Sequence, residues 1–155
     1  MSSVEVKKFL NQHDIKYQTI THSLAYTATE VAQALELTEE RLAKSVIIDL
    51  DHKKIMAVIP AHYKIDLEWV KKATKSQHAS FAHEAEFVNQ FPDCDIGAIP
   101  PFGNLYQIPV YVAPELAKED FITFNAGSYF EVIKMKYADY ARLVNPQVVP
   151  LVLER

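Results

Sequence analysis

Lys44 stands immediately before a strongly apolar run, Ser45-Val-Ile-Ile-Asp-Leu50, where a surface lysine has little reason to be. A lysine whose stem packs along a cleft wall aims a compact positive charge at a phosphate or a developing oxyanion. The same residue at a helix C-terminus is a solvated cation favoured by the dipole. The second candidate is the stretch from Asp95 to Leu105, Asp-Ile-Gly-Ala-Ile-Pro-Pro-Phe-Gly-Asn-Leu. The chain has only three glycines, and Gly97 and Gly103 both fall in this stretch. Glycine serves where the backbone takes positive φ or must approach another group closely. Pro100 and Pro101 fix φ and remove two backbone donors. A stiff, irregular loop follows, with Phe102 presented from it; the plainer alternative is a turn between strands. The third glycine, Gly127, lies in Asn125-Ala126-Gly127-Ser128. That tetrad reads either as a hairpin turn or as an anion-binding nest of backbone N–H groups, with the Ser128 hydroxyl as a further donor.

Other machinery is missing. The six histidines show no metal spacing, and His83-Glu84 lacks the second histidine of a zincin helix. Cys94 sits between Asp93 and Asp95, whose charges disfavour a thiolate. No G-x-S-x-G elbow or phosphate-binding Walker loop occurs. No cofactor and no metal are expected.

Composition sets the frame. At 155 residues and 49% hydrophobic, the chain fits one compact domain, residues 1–155, with a substantial core. A net charge of −4 argues against a protein that coats nucleic acid through bulk charge, though not against local contact with a nucleic-acid end. One cysteine excludes an internal disulfide framework and suits a reducing compartment. No apolar run reaches spanning length and the N-terminus lacks a signal core, so a cytoplasmic protein is expected.

The elements that must position these residues follow from patterning. Ser3 caps a helix from Val4 to about Gln12, and Tyr17–His22 alternates as a strand. Thr27-Ala-Thr-Glu30 is a capping box opening a helix with Val31, Ala32 and Leu35 inward. Thr38 caps a turn, Glu39 to Ala43, that delivers Lys44 to the start of a strand. Ser45–Leu50 and Lys54–Pro60 form a hairpin around Asp51-His52-Lys53. Asp66 caps a helix through about Thr74, with Leu67, Val70 and Trp69 packing, and His83–Gln90 is helical. Tyr106–Val112, Phe121–Phe124 and Tyr129–Met135 read as strands, and Tyr137–Val144 as a closing helix. The fold class is α+β: a mixed sheet of about six strands, curled into a partial barrel and surrounded by helices.

Lys44 before a β-hairpin, then Gly97-x-x-Pro-Pro-Phe-Gly103, then Asn125-Ala-Gly-Ser128 in that order resembles the YbaK/ProX family. These are aminoacyl-tRNA deacylases related to the editing insertion of bacterial prolyl-tRNA synthetases. The resemblance runs from Tyr17 to about Leu143 and includes His22, Thr27 and the Pro60-Ala-x-x-x-x-Asp-Leu67 connection. It implies a cleft in which Lys44 and the glycine-loop backbone hold the 3′-terminal aminoacyl-adenosine. Many members carry Ser-Pro where this chain has Pro100-Pro101, and a glycine at Asp93 or Cys94. The family therefore does not supply the substrate side chain.

On this resemblance, backbone N–H groups around Gly97 and Gly103 stabilise the tetrahedral oxyanion, Lys44 anchors the terminal adenosine or its phosphate, and the substrate's vicinal hydroxyl relays the proton. His22, Thr27 and Asn125–Ser128 contribute to substrate binding. Ile99, Pro100, Pro101 and Phe102 wall a pocket for a small amino acid. The expected partner is an aminoacyl-tRNA acceptor end, with an aminoacyl-tRNA synthetase as a second candidate and no membrane. Oligomeric state is open. The alternative is a non-catalytic module that captures a tRNA 3′ end or nucleotide, or docks a synthetase.

Overall fold

In the computed structural model of the chain, the residues described are 2–21, 42–92, 94–128 and 131–152. Among them eight strands form one mixed sheet: β1 (Tyr17–Thr21), β2 (Leu42–Leu50), β3 (Lys53–Pro60), β4 (Ala79–Phe81), β5 (Val110–Val112), β6 (Phe121–Asn125), β7 (Glu131–Lys136) and β8 (Gln147–Val148). Their order is β1-β7-β6-β2-β3-β5-β8, with β4 pairing β2 beside the main path. The helices are α1 (Ser2–Gln12), α2 (Leu67–Thr74), α3 (Glu84–Phe87), α4 (Pro114–Ala117) and α5 (Tyr137–Val144). The α+β class and mixed sheet are as expected. None of these helices is long and apolar enough to cross a membrane.

β2 is the central element. It pairs antiparallel with β3 along its whole length and parallel with β6 at its start. Strand residues alternate between faces, and here both faces are covered. Ala43 and Ile47 join a core with Met56, Val58, Phe102, Phe124 and Tyr140. Ile48 and Leu50 join a second core with Ile55, Ala57, Ile59 and Val70.

Three expectations need correction. The strand starts at Leu42 rather than Ser45, so Lys44 lies inside it, opposite Ile59. Tyr106–Val112 is mostly not a strand: Gly103–Tyr106 is a 3₁₀ turn, Gln107 is left-handed at φ 60°, and only Val110–Val112 pairs. Pro109 lacks the N–H that a ladder position needs. His83–Gln90 splits into α3 and a 3₁₀ turn, Val88–Gln90. The Thr27 and Thr38 helices lie outside the described residues.

The β2–β3 hairpin closes on two non-glycine residues with positive φ, Asp51 at 49° and His52 at 72°. Both central residues of a type I′ turn take this conformation, which usually draws Asn-Gly or Asp-Gly. Asp51 is held there by its carboxylate, which accepts from the backbone N–H groups of Gln77 and His78. His52 has no such compensation recorded. Gly103 is glycine for a different reason. A Cβ there would come within 2.5 Å of the Ile108 carbonyl oxygen and 2.7 Å of Val110 Cγ2.

These two positions should respond with opposite signs. Gly103→Ala should lower stability in urea unfolding by about 1–3 kcal/mol, through overpacking against backbone that cannot yield. His52→Gly should leave stability unchanged or raise it by up to about 1 kcal/mol, because the left-handed turn loses its Cβ penalty.

Candidate active site

Lys44 sits one step past the last β2–β6 pair, Ala43 with Phe124, so Asn125 is next to it in register. Asn125 opens the turn that carries Gly127, and that turn is bonded directly to the glycine loop. The Asp95 N–H donates to the Gly127 carbonyl at 2.8 Å, and the Gly127 N–H donates to the Ala98 carbonyl at 2.8 Å. The 3₁₀ turn Ile96–Ala98, which contains Gly97, packs against β2 in turn. Three stretches far apart in sequence therefore meet at one end of β2: Lys44, the Gly97 loop and the Asn125–Ser128 turn. The paired-proline bend is tied in from the other side. The buried Tyr140 hydroxyl donates to the Pro101 carbonyl at 2.7 Å, and burial holds that phenol well above its usual pKa, so it stays a donor.

The members of this cluster differ in role. Gly127 is left-handed, at φ 94°, which accounts for its being glycine. The Ala126 N–H donates to the Glu131 carbonyl, closing the β6–β7 hairpin. With the Ala126 and Gly127 donors engaged inside the fold, the turn is a hairpin that braces the glycine loop rather than an open anion nest. Ser128 is part-buried beside it. Gly103 is buried and its carbonyl accepts from the Ile108 N–H. Ile99, Pro100 and Pro101 are buried.

Phe102 is not presented from the loop. It is 0% exposed, and its ring contacts Phe9, Phe124 and Tyr140 at centroid distances of 5.4–5.9 Å. The bend turns Phe102 inward as the anchor of the loop, because a flanking Pro-Pro pair leaves few other groups to hold it. His22 and Thr27 lie outside the described residues.

Lys44 is half-buried, and desolvation lowers its pKa from the ordinary lysine value. Two polar atoms close to it in sequence and register, Ser45 Oγ and Asn125 Oδ1, are buried with no hydrogen-bond partner. Asn125 as a residue is 5% exposed. Buried polar atoms normally find partners; Asn125 Oδ1 lies in register with Lys44 and Ser45 Oγ follows it on the opposite face of β2, so unmet polar demand sits on both sides of this point of the strand. Sequence reading did not find Ser45 or Tyr140; the only signal for Tyr140 is its place on the Tyr137–Tyr140–Val144 buried face of α5.

Other candidates fall away. Cys94 Sγ lies 4.0 Å from the Tyr106 hydroxyl, which donates to Glu5 Oε2 at 3.5 Å, an acidic and phenolic neighbourhood unsuited to a thiolate. No group of three or more His, Cys, Asp or Glu side chains suited to a metal occurs among the described residues. A groove of about 740 Å³ lies at the opposite, turn end of β2, lined by His52, Lys53, Gln107 and Tyr111 among others. It is about 20 Å along the strand from Lys44 at the usual rise per residue.

The mixed sheet and its helices have the fold of a YbaK/ProX-type deacylase domain. The chain belongs to the aminoacyl-tRNA editing domain family, whose model matches residues 22–143. It is 27% identical over 145 residues to the multifunctional Ser/Thr-tRNA deacylase ProXp-y of Escherichia coli K12, covering 90% of this chain and 86% of that protein. Among solved structures it resembles a candidate trans-editing enzyme for prolyl-tRNA synthetase, with TM-score 0.84 and 18% identity over 99% of this chain and 98% of the other. A scaffold protein used for computational epitope grafting has the same fold, with TM-score 0.85 and 17% identity over 99% and 98% of the two chains.

The lowered pKa of Lys44 makes a stability prediction. Its folded pKa lies below its unfolded one, so between the two values the unfolded chain binds more protons and stability rises with pH. Below that window the charged, half-buried ammonium opposes folding. Lys44→Met should therefore unfold at higher urea than the parent near neutral pH, and the difference should shrink as pH rises through the window. A Lys44→Met chain less stable than the parent at neutral pH would show that the ammonium is a structural partner instead.

Proposed function

We propose that this chain hydrolyses, in trans, the ester of mischarged tRNA carrying a small amino acid, with Lys44 anchoring the 3′-terminal nucleotide. The observation that carries the reading is the meeting of Lys44, the Gly97 loop and the Asn125–Ser128 turn at one end of β2. An aminoacyl ester on ribose is already activated, so hydrolysis needs a placed water and stabilisation of the tetrahedral oxygen more than a protein nucleophile. In the proposed step, water attacks the ester carbonyl carbon. Main-chain N–H groups around the Gly97 loop, other than those of Asp95 and Ala98, which are bonded inside the fold, stabilise the oxyanion. The intermediate then collapses with cleavage of the bond to the ribose 3′-oxygen, which takes its proton through the vicinal 2′-hydroxyl. Gly103 acts at one remove, by letting the loop close on Ile108.

Small, hydroxyl-bearing amino acids are the first candidates. The Ser/Thr-tRNA deacylase relative supports this. Size alone discriminates only about 10–200-fold per methylene, so overlap among small esters is expected. By analogy with the Ser/Thr-tRNA deacylase relative, the upstream partner on this reading is an aminoacyl-tRNA synthetase and the site of action the compartment where tRNA is charged, the cytoplasm.

The test is a panel of mischarged tRNAs with the parent and Lys44→Ala. The variant should lose about 10²–10³ in rate on the best substrate, the usual cost of one anchoring charge or oxyanion donor. Parent-like turnover by Lys44→Ala would overturn its role. A second measurement uses tRNA ending in 2′-deoxyadenosine with the amino acid on the 3′-oxygen. Slow hydrolysis is expected, and undiminished hydrolysis would require a protein base.

A further inference from the structure

We infer that the outer face of α2, carrying Trp69, Lys72 and Lys75, docks the RNA strand of the substrate, with Trp69 stacking on a base and the two lysines meeting phosphates. This rests on the deacylase reading for the presence of RNA and extends it from the ester to the nucleic acid bearing it.

The position of α2 is fixed by its buried side. Asp66 caps it, accepting from the Glu68 and Trp69 N–H groups. Val70 and Leu67 seat it on Ile48, Leu50, Ile55, Ala57 and Ile59. Ile59 is the cross-strand partner of Lys44, and cross-strand partners share a face. The helix therefore stands on the face of the sheet that carries Lys44, with its other side outward.

That outer side has an unusual composition. Trp69, the chain's only tryptophan, is 48% exposed, although its sequence position suggested packing. Lys72, one turn on, holds its ammonium 6.0 Å from the ring centroid. Lys75 follows as a left-handed, exposed cap. An exposed aromatic ring interleaved with cations is the arrangement that stacks unpaired bases and tracks a phosphate backbone.

The cations of this face are open to phosphate. Lys7 is bonded to Glu131 at 2.5 Å, and Lys54 is shared between Asp49 and Glu86. Lys71 is paired with Glu68 at 2.9 Å. Among the described residues Lys72 and Lys75, like most of the lysines, have no ion pair and can exchange counterions for phosphates; what sets them apart is the exposed Trp69 ring on the same helix face. Lys134 over the exposed Phe121, at 4.7 Å, repeats the pairing at the start of β6, the end away from Asn125. It serves as the internal control.

The experiment titrates an uncharged acceptor-stem RNA hairpin ending in CCA, following the fluorescence of the single tryptophan. Parent fluorescence should be quenched saturably. Lys72→Ala/Lys75→Ala should bind about tenfold more weakly, with the slope of log K against log salt reduced by about 1.5, while Lys134→Ala binds like the parent. On full-length aminoacyl-tRNA, relative to a 3′-aminoacyl-adenosine, the double variant's kcat/KM should fall about tenfold through KM. Trp69→Leu, which removes the fluorophore and is read by KM on full-length aminoacyl-tRNA instead, should raise KM by a similar factor without loss of thermal stability. If RNA binds without changing the fluorescence, or if Lys134→Ala matches the double variant, the docking face lies elsewhere and the inference fails. Should RNA quench Trp69 while no ester is hydrolysed, the docking face stands and the deacylase reading falls instead.

Discussion

Everything at the Lys44 end of the sheet depends on two reciprocal main-chain hydrogen bonds, Asp95 to Gly127 and Gly127 to Ala98. A loop with adjacent prolines satisfies itself only in part: the Phe102 N–H donates to the Pro100 carbonyl, and other carbonyls need partners from outside. Pro100 and Pro101 offer no N–H, yet the carbonyls around them are buried and need partners. The Gly127 turn supplies partners on one side and the Tyr140 hydroxyl on the other. Phe102 then fills the space between Phe9, Phe124 and Tyr140. The loop is rigid because its one large ring and many of its main-chain groups are engaged inward, which leaves its outer backbone in a fixed position.

The sheet makes Lys44 a different kind of residue from the chain's other lysines. On β2 its neighbours in sequence feed two cores, one on each face, so its ammonium is half desolvated. A charge so placed works against folding, and nearby buried polar atoms on Ser45 and Asn125 add unmet demand. Proteins keep such local conflicts mainly at functional sites. On the proposed reading, the anionic end of an aminoacyl-tRNA beside Lys44 resolves the conflict.

Local rules made part of this legible. Asp66 before Leu67-Glu-Trp-Val is a cap with a mechanism, and the structure shows the two bonds. The Ser45–Pro60 hairpin followed from alternation around a polar turn. Three scarce glycines and Lys44 pointed to the segments that meet. Where one-dimensional cues mislead, the cause is tertiary. Tyr106-Gln-Ile-Pro-Val alternates like a strand, but the chain must turn at Gln107 to let Gly103 pack on Ile108. Phe102 beside two prolines looks like an exposed tip; only the packing of α1, β6 and α5 shows that it is a core residue. Trp69 errs in the opposite direction, because α2 is short enough that Val70 and Leu67 suffice to bury it. The two-residue β8 and three-residue β4 carry too little pattern to be read without their partners.

A division of labour follows from these placements. The core that holds Phe102, Phe124 and Tyr140 makes the loop rigid and contributes no charge. The other face of β2 carries Lys44 and seats α2, whose buried side is two apolar residues and whose outer side is aromatic and basic. Main-chain donors need no titratable group and keep their geometry at any pH, so a site built on them requires of side chains only attraction and shape. On the proposed reading, this lets an acidic chain handle a polyanionic substrate: its unpaired lysines need act only where the substrate touches, while Lys7, Lys54 and Lys71 are held by carboxylates.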